Sequence, residues 1–327
     1  MLDKKILVTG AGGFIGSHLT EILLSKGAKV TALVRYNSRS DFGFLNRLSK
    51  KGENNLEIIQ GDLRDYYSVD KAVQNQDMVF HLGSLIAIPY SYSNPWDAFE
   101  TNVKGTLNVL TAVKEHRIQK LIHTSTSETY GSAQYVPIDE KHPLQGQSPY
   151  SASKIAADKF AESFWLSYNT PVAIIRPFNT YGPRQSSRAV IPTIISQALY
   201  KGSIQLGSLS PKRDFTFVYD TVDAFIKIAE SDKTVGEVIN IGSNSEISIK
   251  EIADKIIKII DSSISISTFE ERQRPESSEV TRLLADNTKA KELLGWEPKY
   301  SLDNGIDLTI NWIRENLELY NPDKYTI

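Results

Sequence analysis

The sequence of 327 residues contains no cysteine. This absence excludes disulfide bonds, thiol nucleophiles and cysteine-ligated metal sites together. Histidine is also scarce, and no two histidines have a ligand spacing such as His-x-x-x-His. We therefore expect no metal site. The five histidines are His18, His81, His116, His123 and His142.

The sequence also lacks a strong net charge and any long apolar run. Its 37 basic and 39 acidic residues give a formal net charge of −2, so there is no basic field to attract nucleic acid. No apolar stretch approaches the roughly 20 residues of a membrane helix. The polar start of the chain leads into a short strand-like run and not into a secretory leader. We expect a cytoplasmic protein with no nucleic-acid partner and no membrane partner.

Seven short runs rich in Val, Ile and Leu alternate with segments of helical periodicity. Such alternation is typical of a parallel sheet with helices on both faces. The sequence therefore predicts an α/β fold: a doubly wound parallel (Rossmann) sheet with a smaller, interleaved C-terminal lobe. We expect the sheet domain to comprise 1–178 plus about 215–245, and the lobe 179–214 and 246–327. The runs are Ile6–Val8, Val30–Val34, Leu56–Ile59, Met78–Leu82, Leu121–Ile122, Val172–Ile175 and Val238–Ile241.

The first run leads into a glycine-rich turn, Thr9-Gly10-Ala11-Gly12-Gly13-Phe14-Ile15-Gly16. A strand, a glycine turn and a helix in this order are the context of a dinucleotide-binding site. Gly10 permits the tight turn, Gly13 lets the backbone approach a pyrophosphate, and Gly16 lets the helix lie close to the sheet. The helix begins at about Phe14 and Ile15, and its free N–H groups face the phosphates.

Further cofactor contacts are expected where the next strands end. Arg35 stands where an NAD-selective site usually has an acidic residue, so it either accepts the 2′-phosphate of NADP or is a solvated cation. The sequence therefore favours NADP over NAD. Asp62, followed by Leu63, either accepts from the adenine amino group or caps the next helix. Leu82 ends the fourth run and Ser84 follows it, and we expect both residues to contact the nicotinamide side of the cofactor.

Tyr150 and Lys154 are four residues apart, so a helix presents them on one face. We expect the lysine ammonium to lower the pKa of the tyrosine, which can then take a proton from an alcohol while hydride leaves the same carbon. Thr126 can share that proton. Ser127 and Glu128 follow Thr126 at the carboxyl end of the fifth strand, the edge where doubly wound sheets bind ligands. These five residues form the predicted catalytic set, and Tyr150 and Lys154 also belong to the cofactor site.

Together the motifs resemble the extended short-chain dehydrogenase/reductase family, whose members act on nucleotide sugars. The Thr126-Ser127-Glu128 run resembles the sugar-nucleotide 4,6-dehydratases of that family. Segments 87–92, 143–150 and 274–280 look like the configuration-retaining UDP-N-acetylglucosamine 4,6-dehydratases of legionaminic acid biosynthesis. Further family matches are Arg176-Pro177-Phe178-Asn179, Gly182-Pro183-Arg184, Arg213-Asp214-Phe215, Asn240-Ile241-Gly242 and Leu294-Gly295-Trp296.

The resemblance implies a redox-neutral reaction with a tightly bound, recycled cofactor. Tyr150 would take the C4 hydroxyl proton as hydride leaves C4, and Glu128 would remove the acidified C5 proton. Water would leave from C6, and the hydride would return there. Many dTDP-glucose dehydratases place an Asp before the Glu. Because Ser127 occupies that position here, Glu128 would also have to pass its proton to the leaving oxygen.

The resemblance also implies a nucleotide site and a partner. The smaller lobe would bind the nucleotide sugar, and three of its residues match positions that hold the diphosphate. A fourth, Arg188, is a candidate by its position in a basic loop. Family members are usually homodimers through two helices, here roughly Trp96–Lys114 and Tyr150–Trp165, so we expect a homodimer. The candidate substrate residues are Asn179, Arg188, Arg213 and Arg274.

Other reactions remain open from the sequence. UDP-glucuronate decarboxylases also carry a Ser-Glu pair, and a 4-epimerase has no need for a base at Glu128. A GDP-sugar is the nearest alternative substrate for a dehydratase. A non-catalytic NADP-binding regulator is a third class, which the complete set of Thr126, Tyr150 and Lys154 disfavours.

Overall fold

A computed structural model describes residues 1–50, 53–269 and 275–320 of the chain. The strands are β1 (Lys5–Thr9), β2 (Lys29–Arg35), β3 (Leu56–Gly61), β4 (Met78–His81), β5 (Lys120–Thr124), β6 (Val172–Pro177), β7 (Asn179–Tyr181), β8 (Ser203–Leu206), β9 (Lys212–Arg213), β10 (Phe215–Phe217), β11 (Val238–Ile241), β12 (Ile247–Ser248) and β13 (Ser265–Thr268). The helices are α1 (Phe14–Ser25), α2 (Asn46–Lys50), α3 (Tyr66–Val73), α4 (Ile88–Ser93), α5 (Pro95–Ala98), α6 (Gly105–Glu115), α7 (Pro149–Tyr168), α8 (Val190–Lys201), α9 (Val218–Glu230), α10 (Ile249–Ile260), α11 (Thr288–Leu294) and α12 (Leu302–Glu315).

Seven strands form one central sheet, and every neighbouring pair in it is parallel. Their order is β11-β6-β5-β4-β1-β2-β3, so the chain reverses its direction of progress across the sheet after β3. This is the doubly wound topology, and it confirms the predicted fold class. The other strands form three two-stranded sheets, β7 with β10, β8 with β13 and β9 with β12.

The central strands are buried on both faces. Ile6 and Val8 of β1 belong to one hydrophobic core, whereas Leu7 between them belongs to a second core with Val79 and Leu121. Because successive side chains of a strand point to opposite faces, a strand between two helical layers must be apolar throughout. This explains why the strands read as continuous apolar runs in the sequence.

Helix boundaries follow local capping residues, and two predictions need correction. Ser248 and Glu251 form the predicted capping box at the start of α10. Helix α3, however, is capped by Asp65, whose carboxylate accepts from two backbone N–H groups, so the capping role considered for Asp62 is wrong. The helix predicted over Trp96–Lys114 is not uniform, because a π-helical segment, Phe99–Lys104, joins α5 to α6.

Two features are absent from the described part of the chain. It contains no group of three or more His, Asp or Glu side chains arranged to hold a metal ion. Within the same residues, no helix has both the length and the apolar character needed to cross a bilayer.

Candidate active site

Helix α7 carries Tyr150 and Lys154 in its first turns. Ser148 caps this helix through a reciprocal capping box with Ser151, and Pro149 occupies the first helical position. These local signals fix the start of the helix and therefore the direction in which both side chains point. Tyr150 is 6% exposed and Lys154 is 4% exposed. The pair lies against the carboxyl end of β5, because the Lys154 ammonium donates a hydrogen bond to the Thr124 carbonyl at 2.7 Å.

Burial governs the charge of Lys154. Removal of the ammonium from water lowers the pKa of Lys154 to about 8, and the carboxylate of Asp158 opposes this effect. Lys154 therefore remains mostly protonated at neutral pH, but its pKa lies only about one unit above that pH. The negative charge of Asp158, one turn further along α7, is what limits the loss of that proton.

The pKa of Tyr150 is raised, so the prediction that Lys154 would lower it is wrong. Burial of the phenol is the largest cause, and the charges of Glu128 and Asp158 raise the pKa further. A hydrogen bond with the Thr126 side chain acts in the opposite direction. The sequence pattern indicated the spacing of Tyr150 and Lys154, but it carried no information on the burial of the phenol.

A short 3₁₀ helix, Ser127–Tyr130, turns the chain after β5 and determines which side chains reach the cleft. The Thr126 hydroxyl accepts from the Glu128 N–H at 3.3 Å and so caps this turn. Thr126 and Glu128 are both partly exposed. Ser127 is only 2% exposed and lies beneath the turn. The structure therefore brings Thr126, Glu128 and Tyr150 together, whereas Ser127 faces the interior.

The glycine turn before α1 has the shape expected of a phosphate site. Gly10 has a φ of +71°, and a Cβ atom on Gly16 would lie 2.3 Å from the Gly10 carbonyl oxygen. Gly13 caps α1 and is exposed, and the first turn of α1, which includes Phe14 and Ile15, contains no acidic residue. An uncharged helix N-terminus beneath exposed backbone suits a dinucleotide pyrophosphate. The residues of this turn therefore fit a nicotinamide dinucleotide.

Arg35 and Asp62 lie close together at the ends of β2 and β3, which pair in register there. Arg35 is exposed. The Asp62 carboxylate accepts from the Arg64 guanidinium, at 2.6 Å for the shortest contact, and from the Arg64 N–H at 2.9 Å. These bonds from Arg64 are the main cause that lowers the pKa of Asp62, and Arg35 makes a smaller contribution. Asp62 thus already has a partner in the part of the site predicted for adenine.

The segment after β4 is held by a residue that sequence reasoning missed. Asn102, in the π-helical segment, accepts from the Leu85 N–H at 2.7 Å and donates to the Leu85 carbonyl at 2.9 Å. Its amide also donates to Ser153 of α7 at 2.9 Å. Leu82 and Ser84 lie in this tethered segment and are partly buried. A π-helical segment frequently marks a functional site, but helical periodicity alone cannot reveal it.

The predicted substrate residues are more dispersed. Asn179 begins β7, and its side-chain Nδ2 is buried without an acceptor among the described residues. Arg213 is 7% exposed, and its guanidinium contacts the Glu279 carboxylate at 3.2 Å. Arg188 is exposed in the loop before α8. Arg274 lies outside the described residues.

A buried polar cluster beneath the catalytic pair was also missed by sequence reasoning. Asp158 is 3% exposed and contacts Arg176 at 2.8 Å, Ser125 at 2.6 Å and His123 at 3.2 Å. His81 lies beside His123, with ring centroids 5.7 Å apart. The eight-residue spacing of Tyr150 and Asp158 was the available signal, because it continues the face that carries Lys154.

Comparison with known proteins gives the chain a family. Residues 7–309 match the family model described as GDP-mannose 4,6 dehydratase. The chain is 33% identical over 320 residues to human dTDP-D-glucose 4,6-dehydratase, covering 96% of this chain and 91% of that protein. It is 34% identical over 325 residues to the UDP-N-acetyl-alpha-D-glucosaminuronate decarboxylase of Bacillus cytotoxicus, covering 96% and 99%.

A solved structure extends the likeness to the whole fold. The dTDP-glucose 4,6-dehydratase DesIV of Streptomyces venezuelae, which was crystallised with NAD, superposes with a TM-score of 0.87. It is 27% identical, and the match covers 98% of this chain and 100% of that chain. The chain therefore belongs to the GDP-mannose 4,6 dehydratase family, the NAD(P)-dependent nucleotide-sugar dehydratases, epimerases and decarboxylases of the extended short-chain dehydrogenase/reductase fold.

Proposed function

We propose that the protein is a 4,6-dehydratase that converts UDP-N-acetylglucosamine to the UDP-4-keto-6-deoxy sugar with retained C5 configuration. The observation that carries the proposal is the position of Glu128. Its carboxylate is close enough to Tyr150 to raise the pKa of the phenol, and it is partly exposed beside Thr126. A second base beside Tyr150 is needed to remove the C5 proton in elimination, but it is not needed for epimerisation at C4.

In this proposal the side chains act in sequence on neighbouring carbons of the sugar. The phenolate form of Tyr150, which the hydrogen bond from Thr126 favours, takes the C4 hydroxyl proton. A nicotinamide cofactor held at the glycine turn before α1 would supply the hydride acceptor for C4 and the hydride that C6 receives. Glu128 removes the C5 proton, which the new 4-keto group acidifies, and transfers a proton to the C6 hydroxyl as it leaves as water. C5 then takes a proton from solvent on the same face and Tyr150 releases its proton to solvent, so the sugar loses one water and no net oxidation results.

The nucleotide end of the substrate is assigned to the smaller lobe, 179–214 with 246–327. The side-chain amide of Asn179, which has no acceptor among the described residues, supports this assignment, because a buried donor without an acceptor is costly unless a ligand supplies one. Arg213 offers a buried guanidinium suited to diphosphate oxygens. Arg188 and Arg274 complete the proposed set. For the sugar, the support is the resemblance of segments 87–92 and 143–150 to enzymes that act on UDP-N-acetylglucosamine.

For the cofactor, we propose NADP, with NAD as the alternative. Exposed Arg35 at the end of β2 supports NADP, whereas the DesIV structure contains NAD. Titration of the protein with each cofactor, followed by tryptophan fluorescence, should give tighter binding of NADP. Arg35→Ala should remove that preference, while Arg39→Ala, which alters an exposed arginine in the loop after β2, should not. Equal affinity of the unchanged protein for both cofactors would reject NADP selectivity.

We also propose a homodimer formed through α5, α6 and α7. Trp96 is 76% exposed, Phe99 is 49% exposed and Phe160 is 38% exposed, and Trp96 and Phe99 form an edge-to-face pair. A second copy would cover these aromatic side chains and remove them from water. Light scattering should report twice the chain mass, and Trp96→Glu with Phe160→Glu should give monomers. A monomeric unchanged protein at high concentration would exclude this interface.

The function is tested by the variant Glu128→Gln. With UDP-N-acetylglucosamine, we expect loss of water from the sugar to slow about 10²- to 10⁴-fold. Formation of reduced cofactor on mixing should persist, because Tyr150 and Lys154 are intact. Glu162→Gln, an exposed carboxylate on α7, is the matched control.

An unimpaired Glu128→Gln variant that epimerises a UDP-sugar would replace the proposal by a 4-epimerase. Release of carbon dioxide from UDP-glucuronate would favour a decarboxylase instead. Two observations make that the second candidate: Ser127 precedes Glu128, and a decarboxylase is among the similar proteins. Turnover of a GDP-sugar in preference to the UDP-sugar would change the substrate but keep the reaction.

A further inference from the structure

Asp158 connects the helix that carries Tyr150 and Lys154 to the strands beneath it. The three residues follow each other at four-residue intervals on α7 and therefore lie on one face. Asp158 is buried on all sides, although an isolated buried carboxylate is unfavourable. Its two oxygens are engaged by side chains from two different strands or strand ends. The carboxylate therefore acts as a junction between α7 and the sheet.

The first group of contacts fixes the end of β5. The Ser125 hydroxyl donates to Asp158 at 2.6 Å, and His123 Nε2 lies 3.2 Å from the other carboxylate oxygen. Between them stands Thr124, whose carbonyl accepts from Lys154 at 2.7 Å. Thr126 follows directly. The short segment that receives Lys154 and presents Thr126 to Tyr150 is thus held at both sides by one carboxylate.

The second contact extends the junction to β6. Arg176 donates to Asp158 at 2.8 Å and to the Tyr130 hydroxyl at 2.7 Å, and its guanidinium lies 4.7 Å from the centre of the Tyr130 ring. The Tyr130 hydroxyl in turn donates to Asn240 of β11 at 2.7 Å. Tyr130 ends the 3₁₀ turn that contains Glu128. Asp158 is therefore linked to both sides of the turn that carries the proposed second base.

Every element packed against Asp158 contributes a charged or titratable side chain. Helix α7 contributes Tyr150 and Lys154, strands β4 to β6 contribute two histidines and an arginine, and the 3₁₀ turn contributes Glu128 and Tyr130. The pKa of each histidine is lowered by burial, so both rings are neutral and Asp158 balances Arg176 and Lys154. The groups are Tyr150, Lys154, His81, His123, Arg176, Glu128 and Tyr130.

We propose that Asp158 is a positioning residue for the reaction: its carboxylate holds the Thr124–Thr126 segment against Lys154 and Tyr150. Its negative charge also favours the charged form of the Lys154 ammonium. Asp158 touches neither substrate nor cofactor in this scheme. The inference rests on the proposed function only for one step, the oxidation of C4 in which Tyr150 takes the hydroxyl proton beside Lys154. Dehydratase, epimerase and decarboxylase all begin with that step, so the inference can be tested whichever of them the protein proves to be.

The test is the pH–rate profile of Asp158→Asn, a change that keeps the shape of the side chain and removes its charge. We expect kcat to fall about 10- to 100-fold with little change in KM, because misplaced catalytic groups slow chemistry more than binding. The whole profile should also move to lower pH, by about one unit. Both Lys154 and Tyr150 lose their protons more easily once the nearby negative charge is gone.

Glu162→Gln on the exposed face of α7 is the matched control and should leave the profile unchanged. Ser125→Ala is the second variant, in case Asp158→Asn does not fold. It removes one hydrogen bond to the carboxylate but retains the charge, and we expect kcat to fall several-fold without a displaced profile. Circular dichroism and cofactor affinity of each variant establish that the site is folded.

A purely structural role predicts a different pattern. In that case folded Asp158→Asn would keep both its kcat and its pH profile, or would lose activity with an unmoved profile, and either result would overturn the proposal. An unchanged kcat in Ser125→Ala would contradict it as well. If the unchanged protein oxidises a nucleotide sugar but does not eliminate water, the proposed dehydratase function fails while the test of Asp158 remains valid.

Discussion

The two ends of the candidate site are built differently. At the catalytic end, Tyr150, Lys154 and Asp158 project from one helix of 20 residues, and the end of a central strand is bonded to them from below. At the proposed nucleotide end, Arg213 belongs to a strand of two residues and Asn179 to a strand of three. Tyr150, Lys154 and Asp158 are buried, and the last two are hydrogen-bonded to the end of β5, whereas the buried side-chain amide of Asn179 has no acceptor among the described residues.

This difference predicts which kinetic constant, kcat or KM, depends on each end of the site. Groups fixed before substrate arrives stabilise the transition state without being reorganised during the reaction. Asn179, on a short strand, has a buried side-chain amide for which a ligand can supply the acceptor. Changes at the catalytic end should therefore lower kcat, and changes at the nucleotide end should mainly raise KM.

The largest effect is expected from Tyr150→Phe. Loss of the hydroxyl removes the base for the C4 proton, so kcat should fall about 10²- to 10⁴-fold while KM for the nucleotide sugar stays close to its original value. Steady-state kinetics give both constants. A variant with nearly full kcat would show that this end of the site is not catalytic.

A smaller effect, on KM and not on kcat, is expected from Arg213→Gln. Loss of one charged contact to the diphosphate should raise KM about 10- to 100-fold, which corresponds to roughly 1.4–3 kcal/mol of binding, and should change kcat little. Arg282→Gln is the control, because Arg282 makes an exposed ion pair with Glu246. If Arg213→Gln lowered kcat and left KM unchanged, the proposed division between the two ends would be wrong.

The smallest effect is on stability and concerns the buried charge of Lys154. Burial lowers the pKa of Lys154 to about 8, below the value of an unfolded lysine, so the unfolded chain holds the proton more tightly. The contribution of Lys154 to the free energy of unfolding must then increase as the pH rises from about 8 towards 10. We expect the unfolding free energy of the unchanged protein, relative to Lys154→Met, to increase by about 1–3 kcal/mol over that interval.

Urea unfolding of both proteins at the two ends of the interval measures this difference. Buried Lys120, whose pKa is also about 8, is present in both proteins and cancels. A difference that is constant with pH would mean that Lys154 is not desolvated in the folded state.

Hydrophobic periodicity and glycine spacing were sufficient to predict the fold class. The alternating apolar runs predicted the strands of the central sheet, and Gly10 and Gly16 predicted the turn before α1, because these features depend on neighbouring residues in the chain. Features that depend on long-range packing were missed. The π-helical segment with Asn102 needs the tertiary fit of two helices, and its amino-acid pattern resembles that of an ordinary helix.

The candidate site shows the same limit. The spacing of Tyr150 and Lys154 was sufficient to find the pair. The direction of the pKa shift of Tyr150 was predicted wrongly, because it depends mainly on burial, which is a property of the whole fold. Ser127 illustrates this on a smaller scale: it stands next to Glu128 in sequence, yet the 3₁₀ turn directs it inward. Asp62 was predicted without its partner Arg64, because nothing in the motif fixes the arginine side chain.

The most direct test of the central claim is the incubation of the protein with UDP-N-acetylglucosamine in deuterium oxide, followed by mass spectrometry and NMR of the sugar. The account predicts a 4-keto-6-deoxy product that has lost one water and carries solvent deuterium at C5, with the C5 configuration retained. An unchanged sugar mass together with turnover at C4 alone, or no reaction with any UDP, GDP, dTDP or CDP hexose, would contradict it.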